Sequence, residues 1–492
     1  MTVSLETRQI FLVLFFKKEQ KKKTIVCLGL AALLGGCDLA PKYQPPVVAV
    51  PVNYAEAAPW QPALPADTAP KGAWWTAYGD KVLNGLEARL DTDNPDLAAA
   101  LANVDQARAL LAEARAGLLP SLGIGGQITT NRQSERRPTR RPGQPNQYMD
   151  NVLSTNATYE FDLWEKIANG VKAGQAEAVA SAADLAGLRL SLQAELATSY
   201  ITLRGLDDQI ALLNRTIATY GKVVELTQNR FAGRIASGLD VARASAQYHD
   251  AQAQLADVAA RRALAAHAVA IVCGVTPAAL PIAPETTVLR LPEVGTGVPS
   301  GLLQRRPDVA AAERDMAAAN ATIGITKAAF YPNISLNALL GLQDTGFNMF
   351  TLPDSFWTVG PAFALPLFEG GLRHAKENAA KAAYRRAVEA YKAVVLRAFG
   401  EVEDQLALLH YLGEEKRAED ASLADARATV RMSMAAYDLG TVNFLDLAVA
   451  QAASLQAERN SLDLRTRILA ASVGLTRALG GGWNVVDLPK VK

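Results

Sequence analysis

The chain has 492 residues and a formal net charge of +1, so no bulk charge draws it to nucleic acid. Half of it is apolar but only 7% is aromatic, and alanine supplies the difference, which points to long, closely packed helices rather than one round core. Three cysteines and four scattered histidines give no disulfide framework and no metal-ligand spacing. No nucleophile–base–orienter pattern, phosphate loop or zinc motif accompanies them, so neither an enzyme nor a cofactor is expected.

At the amino end, "KKEQKKK" (17–23) is basic and "TIVCLGLAALLGG" (24–36) is apolar but too short to span a bilayer. Residues 1–36 therefore read as a signal peptide. Leu34-Gly35-Gly36-Cys37 resembles the lipobox of bacterial lipoproteins. That resemblance implies a diacylglycerol on the Cys37 thiol and removal of the peptide before it. Asp38, directly behind, resembles the inner-membrane retention signal of enteric bacteria.

Further along, the chain reads as one unit written twice. "NPDLAAAL" (94–101) returns as "RPDVAAAE" (306–313), and "SGLDVARA" (237–244) returns as "NFLDLAVA" (443–450). In these registers Pro120 falls on Pro332 and Gly274 on Gly480. Each unit predicts a helix (94–118; 306–330), two strands (121–131 and 152–163; 333–342 and 356–367), a very long helix (165–231; 370–437) and a return helix (239–273; 444–479). The Pro- and Gly-containing stretch 275–305 reads as a linker.

The strands alternate. Leu122, Ile124 and Ile128, then Ala157, Tyr159, Phe161 and Leu163, then Ile334, Leu336, Ala338, Leu340 and Leu342, then Trp357, Val359, Phe363, Leu365 and Leu367 each share a face. This is the apolar-out, polar-in pattern of a membrane β-barrel, which half-buried strands of a soluble sheet also show. The long helices carry a sustained seam, Leu203 to Phe231 in one and Tyr384 to Leu409 in the other, as coiled-coil packing requires. A helix over 165–231 is about 100 Å long, and the two shorter helices of a unit sum to nearly the same span. Four strands cannot close a barrel in lipid, but three chains would supply about 12.

Together the lipobox, "APKYQPP", "RPDVAAAE", "AAFYPNISL", "FALPLFEGG" and the paired turns "RFAGRIASGLDV" and "YDLGTVNFLDL" resemble an outer-membrane factor of the TolC/OprM type, nearest the NodT-like efflux lipoproteins. The resemblance implies a mainly α fold with a transmembrane β-barrel: helical hairpins form an α-barrel tunnel and each chain of a homotrimer gives four strands. It divides the chain into a signal peptide (1–36), a lipidated segment with a short equatorial helix (37–93), a first repeat (94–274), an equatorial linker (275–305), a second repeat (306–480) and a tail (481–492). It implies drug efflux across the outer membrane with a periplasmic adaptor protein and an inner-membrane RND transporter. A type I protein secretion channel and a lipid-anchored periplasmic coiled-coil scaffold are the alternatives.

The resemblance also names residues. The helical turns would dock the adaptor through Gly233, Arg234, Ser237, Gly238, Leu239, Gly440, Thr441 and Asn443. Glycine permits the turn and a close approach. Arg234 stands opposite Gly440, where the family usually carries glycine, and reads as a partner for an adaptor carboxylate or as a solvated loop residue. Leu445 and Asp446 match the pore gate. Asp446 and its counterpart Asp240 read equally as helix N-caps. Arg132, Arg136, Arg137, Arg140 and Arg141 lie in the loop between the first two strands, which reads first as a flexible solvated loop and alternatively as a partner for lipopolysaccharide phosphates.

Overall fold

The computed structural model describes residues 37–47, 54–55, 72–137, 142–286, 288–292, 305–346, 350–483 and 488. The predicted signal peptide, Arg140 and Arg141, and parts of the linker and tail lie outside the described residues. The chain divides into two units. One gathers Met1–Pro46, Gln106–Ala178 and Arg314–Glu389; the other gathers Val47–Asp105, Val179–Glu313 and Ala390–Lys492.

The fold is mainly helical with one small antiparallel sheet. In chain order the elements are α1 (Lys81–Asp93), α2 (Pro95–Ala116), β1 (Ser121–Arg132), β2 (Gln147–Phe161), α3 (Lys166–Ala232), α4 (Gly238–Val272), α5 (Pro307–Ala328), β3 (Asn333–Asp344), β4 (Ser355–Ala364), α6 (Leu372–Asp438) and α7 (Phe444–Ala478). Lengths recur in pairs: α2 and α5 have 22 residues each, β1 and β3 have 12, α3 and α6 have 67, and α4 and α7 have 35.

Within the first unit the strand order is β1-β2-β3-β4. Strand β2 begins at Gln147, five residues before the predicted start at 152, because the ladder with β1 continues to Arg132↔Gln147. Polar residues hide this end from any pattern search, yet their backbone groups pair all the same. Strand β4 stops at Ala364, so Leu365 and Leu367 lie beyond it, as Leu163 lies beyond β2. Pro366 has no amide to give to a ladder, whereas Pro361 is tolerated because β4 is an edge strand.

The registers set Leu122 opposite Ala157, Tyr159 opposite Leu336, Phe161 opposite Ile334, Leu340 opposite Trp357 and Ile334 opposite Phe363. Cross-strand partners point to the same side, so the four apolar sets form one continuous face. That face is bare: Leu122, Ile124, Leu340, Trp357 and Phe363 are all exposed. Small side chains knit α3 to α5 below the sheet, where Ala173, Ala176, Ala318 and Ala321 pack together.

Among the described residues, the regular elements of the second unit are all helices. The Asp80 side chain caps α1, accepting from Val82 N at 2.7 Å and Leu83 N at 2.9 Å. Asn94 then ends α1 and starts α2, its Oδ1 accepting from Asp96 N and Leu97 N while Nδ2 donates to Val272 O. Leu83, Leu86 and Leu90 of α1 recur on one face and fill a core with Tyr200, Leu203, Val269 and Leu469. Beside it, buried Asp207 accepts from Arg204 at 2.9 Å and Arg262 at 2.9 Å, and both arginines also donate to backbone carbonyls of 282–283.

Helices α4 and α7 both end on left-handed glycines. A Cβ on Gly274 (φ 74°) would lie 2.2 Å from Asp93 O, and one on Gly480 (φ 92°) would lie 1.9 Å from Arg305 O. Only glycine fits such a crossing. The predicted seam of α3 is buried at Leu203, Leu213, Tyr220 and Thr227. Phe231 departs from it and is largely exposed at the turn.

Candidate functional site

The turn after α3 and the turn after α6 belong to the helical unit, and one cluster joins them: Val223 and Ala244 pack with Tyr437, Phe444, Leu447 and Ala448. The Tyr437 and Phe444 rings meet edge to face at 5.9 Å. Arg230, in the last turn of α3, lies over the Tyr437 ring at 4.3 Å from its centroid. Its guanidinium also donates to Tyr437 O at 3.0 Å and Asp438 O at 3.2 Å. Carbonyls at a helix end lack intrahelical donors and carry the negative end of the dipole, so Arg230 clasps one hairpin to the other. Nothing in the local pattern marks Arg230 for this work, because its partners lie more than 200 residues away.

The two turns share a backbone design. Ile235 N donates to Arg230 O at 2.8 Å, and Thr441 N donates to Ala436 O at 2.9 Å. Gly440 is left-handed with φ 72°, and so is Arg234 with φ 62°. For a side-chain-bearing residue that conformation costs about 1 kcal/mol. Gly233 donates its amide to Asn229 O at 3.0 Å, and the Thr441 hydroxyl donates to Ala436 O at 2.9 Å. Ile235, Leu239 and Leu439 are exposed around the turns, and Gly238 lies against the Phe231 ring.

The reading of Asp240 and Asp446 as N-caps is corrected. The caps are Ser237 and Asn443, whose side chains accept from Asp240 N at 3.2 Å and Asp446 N at 3.1 Å. The aspartates stand three residues on, inside the helices. There they differ. The Asp240 carboxylate reaches back to Ser237 N and Oγ, completing a capping box. The Asp446 carboxylate has no hydrogen bond or ion pair among the described residues and is exposed with Leu445 and Val449. Phe444, Leu447 and Ala448 take the buried side.

In the other unit Cys37 is exposed, and its amide donates to Leu163 O at 3.0 Å, just past the end of β2. Asp38 forms an ion pair with Lys172 at 2.7 Å, and Lys172 pairs in turn with Glu165 at 2.7 Å. Burial works to raise the Asp38 carboxyl, but hydrogen bonds from Lys172, Asn169 and the Ala40 amide outweigh it and hold it below its usual range. Around the strand loop, Arg132 and Arg136 are exposed, whereas Arg137 is spent on Ser134 O and Gln144 Oε1.

Among the described residues no helix is long and apolar enough to cross a membrane, which says nothing of the sheet. No group of three or more metal-ligating side chains occurs among them either.

The family of outer membrane efflux proteins matches residues 89–275 and 298–481. Outer membrane protein OprJ of Pseudomonas aeruginosa is 30% identical over 468 residues, covering 94% of this chain and 96% of OprJ. The probable efflux pump outer membrane protein SepC of Pseudomonas putida is 29% identical over 475 residues, covering 95% of this chain and 98% of SepC. Among solved structures, the outer-membrane channel OprN superposes with a TM-score of 0.83 at 26% identity, covering 91% of this chain and 100% of OprN.

Proposed function

We propose a specific role for this chain, which belongs to the outer membrane efflux protein family: it is the outer-membrane channel of a tripartite efflux pump, and it works as a homotrimer that carries drugs or other small toxic compounds out of the periplasm. The observation that carries the reading is the sheet. One of its faces is a continuous apolar surface left bare, and among the described residues β1 and β4 each pair on one side only. Unpaired strand edges cannot face lipid. Edge pairing of β4 with β1 of a second copy, repeated through three copies, makes a closed barrel of about 12 strands.

Helices of about 100 Å are long enough for a tunnel reaching far into the periplasm. The paired element lengths support reading the chain as a duplicated unit, with repeats at 94–274 and 306–480. A trimer would then present six similar hairpins, a surface that an adaptor protein of the pump can ring. The docking residues are Gly233, Arg234, Ser237, Gly238, Leu239, Gly440, Thr441 and Asn443. Strain kept at Arg234 supports a task for its side chain, since unfavourable backbone states persist where function needs them.

Leu445 and Asp446 form the periplasmic gate. Three copies of Asp446 around an axis make an anionic ring that favours cations, and its carboxylate is available for that purpose while that of Asp240 is committed to its cap. Cys37 carries the lipid, at the end of the sheet where acyl chains enter the same bilayer, and Arg132 and Arg136 face lipid phosphates outside. The test is single-channel conductance of the purified protein in planar bilayers, with drug susceptibility of cells carrying it. Asp446→Ala raises conductance and weakens cation preference; a variant matching wild type in both removes the gate, and a wild type forming no pores removes the channel.

A further inference from the structure

Residues 37–41 are held by more contacts than a tether needs. The Cys37 amide donates to Leu163 O at 3.0 Å. Asn320 Nδ2 donates to Pro41 O at 2.8 Å. Between them Asp38 uses both carboxylate oxygens: Oδ1 accepts from Asn169 Nδ2 at 3.1 Å and from Ala40 N at 3.0 Å, and Oδ2 accepts from Lys172 Nζ at 2.7 Å. A bend that places a carboxylate over its own backbone amide two residues on is a local turn; the other two donors come from α3, more than 130 residues away.

The receiving surface is shaped for this segment. A Cβ on Gly324 of α5 would come within 2.6 Å of Asn169 Nδ2 and 2.9 Å of the Ala40 Cβ, so only glycine lets the segment lie flat there. Asn169 is fully buried, and its Oδ1 has no hydrogen-bond partner among the described residues. Its Nδ2 donates to Asp38 Oδ1, and losing that bond would leave a second polar atom of the buried side chain without its partner, which costs free energy. Lys172 is braced by Glu165 at 2.7 Å. Glu165 itself is left-handed, with φ 48°, a strained state for a residue with a side chain. Strain, a fitted glycine and a buried amide thus converge on one short segment.

We propose that residues 37–41 are an intramolecular plug seated in a built socket on α3 and α5, with Asp38 as its charged key, and that this seating withholds the Asp38 carboxylate from proteins that sort lipoproteins by the residue behind the acylated cysteine. The inference rests on the reading of Cys37 as the lipid site. The Asp38 side chain is 42% exposed, so the withholding is by competition: a protein in trans must displace Lys172 Nζ, Asn169 Nδ2 and the Ala40 amide, which already hold both oxygens. The same contacts fix the acylated residue at the end of the sheet. The conflict between an aspartate at this position and an outer-membrane destination is thereby resolved by the fold: the signal is present in the sequence and engaged in the folded chain.

The test uses the full chain in an enteric host, where an aspartate after the acylated cysteine retains lipoproteins in the inner membrane. Wild type, Lys172→Met, Asn169→Leu and each of these combined with Asp38→Ser are separated by sucrose density, and acylation of Cys37 is read from the mass of the amino-terminal peptide. Wild type is expected acylated and in the outer membrane. Lys172→Met and Asn169→Leu are expected acylated but shifted largely to the inner membrane, and Asp38→Ser is expected to return both to the outer membrane. Acylated Lys172→Met and Asn169→Leu proteins that stay in the outer membrane overturn the withholding. A shift that Asp38→Ser does not reverse also overturns it, because damage to the fold would then be the cause. An unacylated wild type overturns the lipid reading, and the plug's sorting role with it.

Discussion

Glu87 is a carboxyl held away from solvent. It lies on α1 at 0% exposure, and neither of its oxygens has a hydrogen-bond partner among the described residues. Burial, helped by the charge of Asp91, pushes its pKa up to about 9 from 4.5. The folded chain therefore holds a proton that the unfolded chain releases above pH 4.5. Stability from this group is whole below that value and falls as pH rises toward 9, by about 1.4 kcal/mol per pH unit. At pH 7 the deficit is about 3 kcal/mol.

Glu87→Gln keeps the shape and removes the titration. Denaturant unfolding of the purified protein, followed by tryptophan fluorescence, reads the difference, since Trp75 packs in the same cluster as Leu86. The variant is expected to be the more stable, and the gap between the two proteins is expected to widen by about 3 kcal/mol from pH 6 to pH 8. All other titrating groups are common to both and cancel. A gap that does not change with pH would mean that Glu87 is ionised in the folded protein, and would refute the reasoning.

Further outcomes follow from the geometry. Gly274→Ala and Gly480→Ala should each abolish the protease-resistant folded form, since the new Cβ meets a backbone carbonyl at 2.2 and 1.9 Å. Gly413→Ala, with open space around it, should instead raise stability by about 1 kcal/mol. Asp207→Ala leaves buried Arg204 with no carboxylate nearer than the exposed Glu285 at 3.6 Å, and should cost about 3–5 kcal/mol in denaturant unfolding. Arg234→Gly should stabilise the turn by about 1 kcal/mol by removing left-handed strain, whereas Arg234→Glu keeps the strain and should weaken cross-linking to the adaptor; cross-linking equal to wild type would exclude a charge contact there.

Most of the secondary structure was legible because it is local. Alternation marks the apolar face of each strand, Leu-Asp after a turn marks the start of each return helix, and Pro120 and Pro332 mark the ends of helical chain, all within a few residues. The same locality explains the misses. The first residues of β2 carry no alternation, so only the ladder to Arg132 reveals them. Asp446 and Asp240 look alike in sequence, and both resemble caps there. The structure moves that role to Asn443 and Ser237 and separates the two carboxylates.

The sequence by itself determined the helical hairpins, the amphipathic strands, the lipobox-like cysteine and the positions of the turns, since periodicity and turn chemistry act between near neighbours. Tertiary structure alone decided how Arg230 clasps Tyr437 and Asp438, why Gly274 and Gly480 must be glycine, and which partners Asp38 has. Each of these depends on atoms brought together from distant parts of the chain. Asp38 shows the difference most plainly: beside Cys37 it resembles a retention signal, and only the return of α3 puts Lys172 and Asn169 against it.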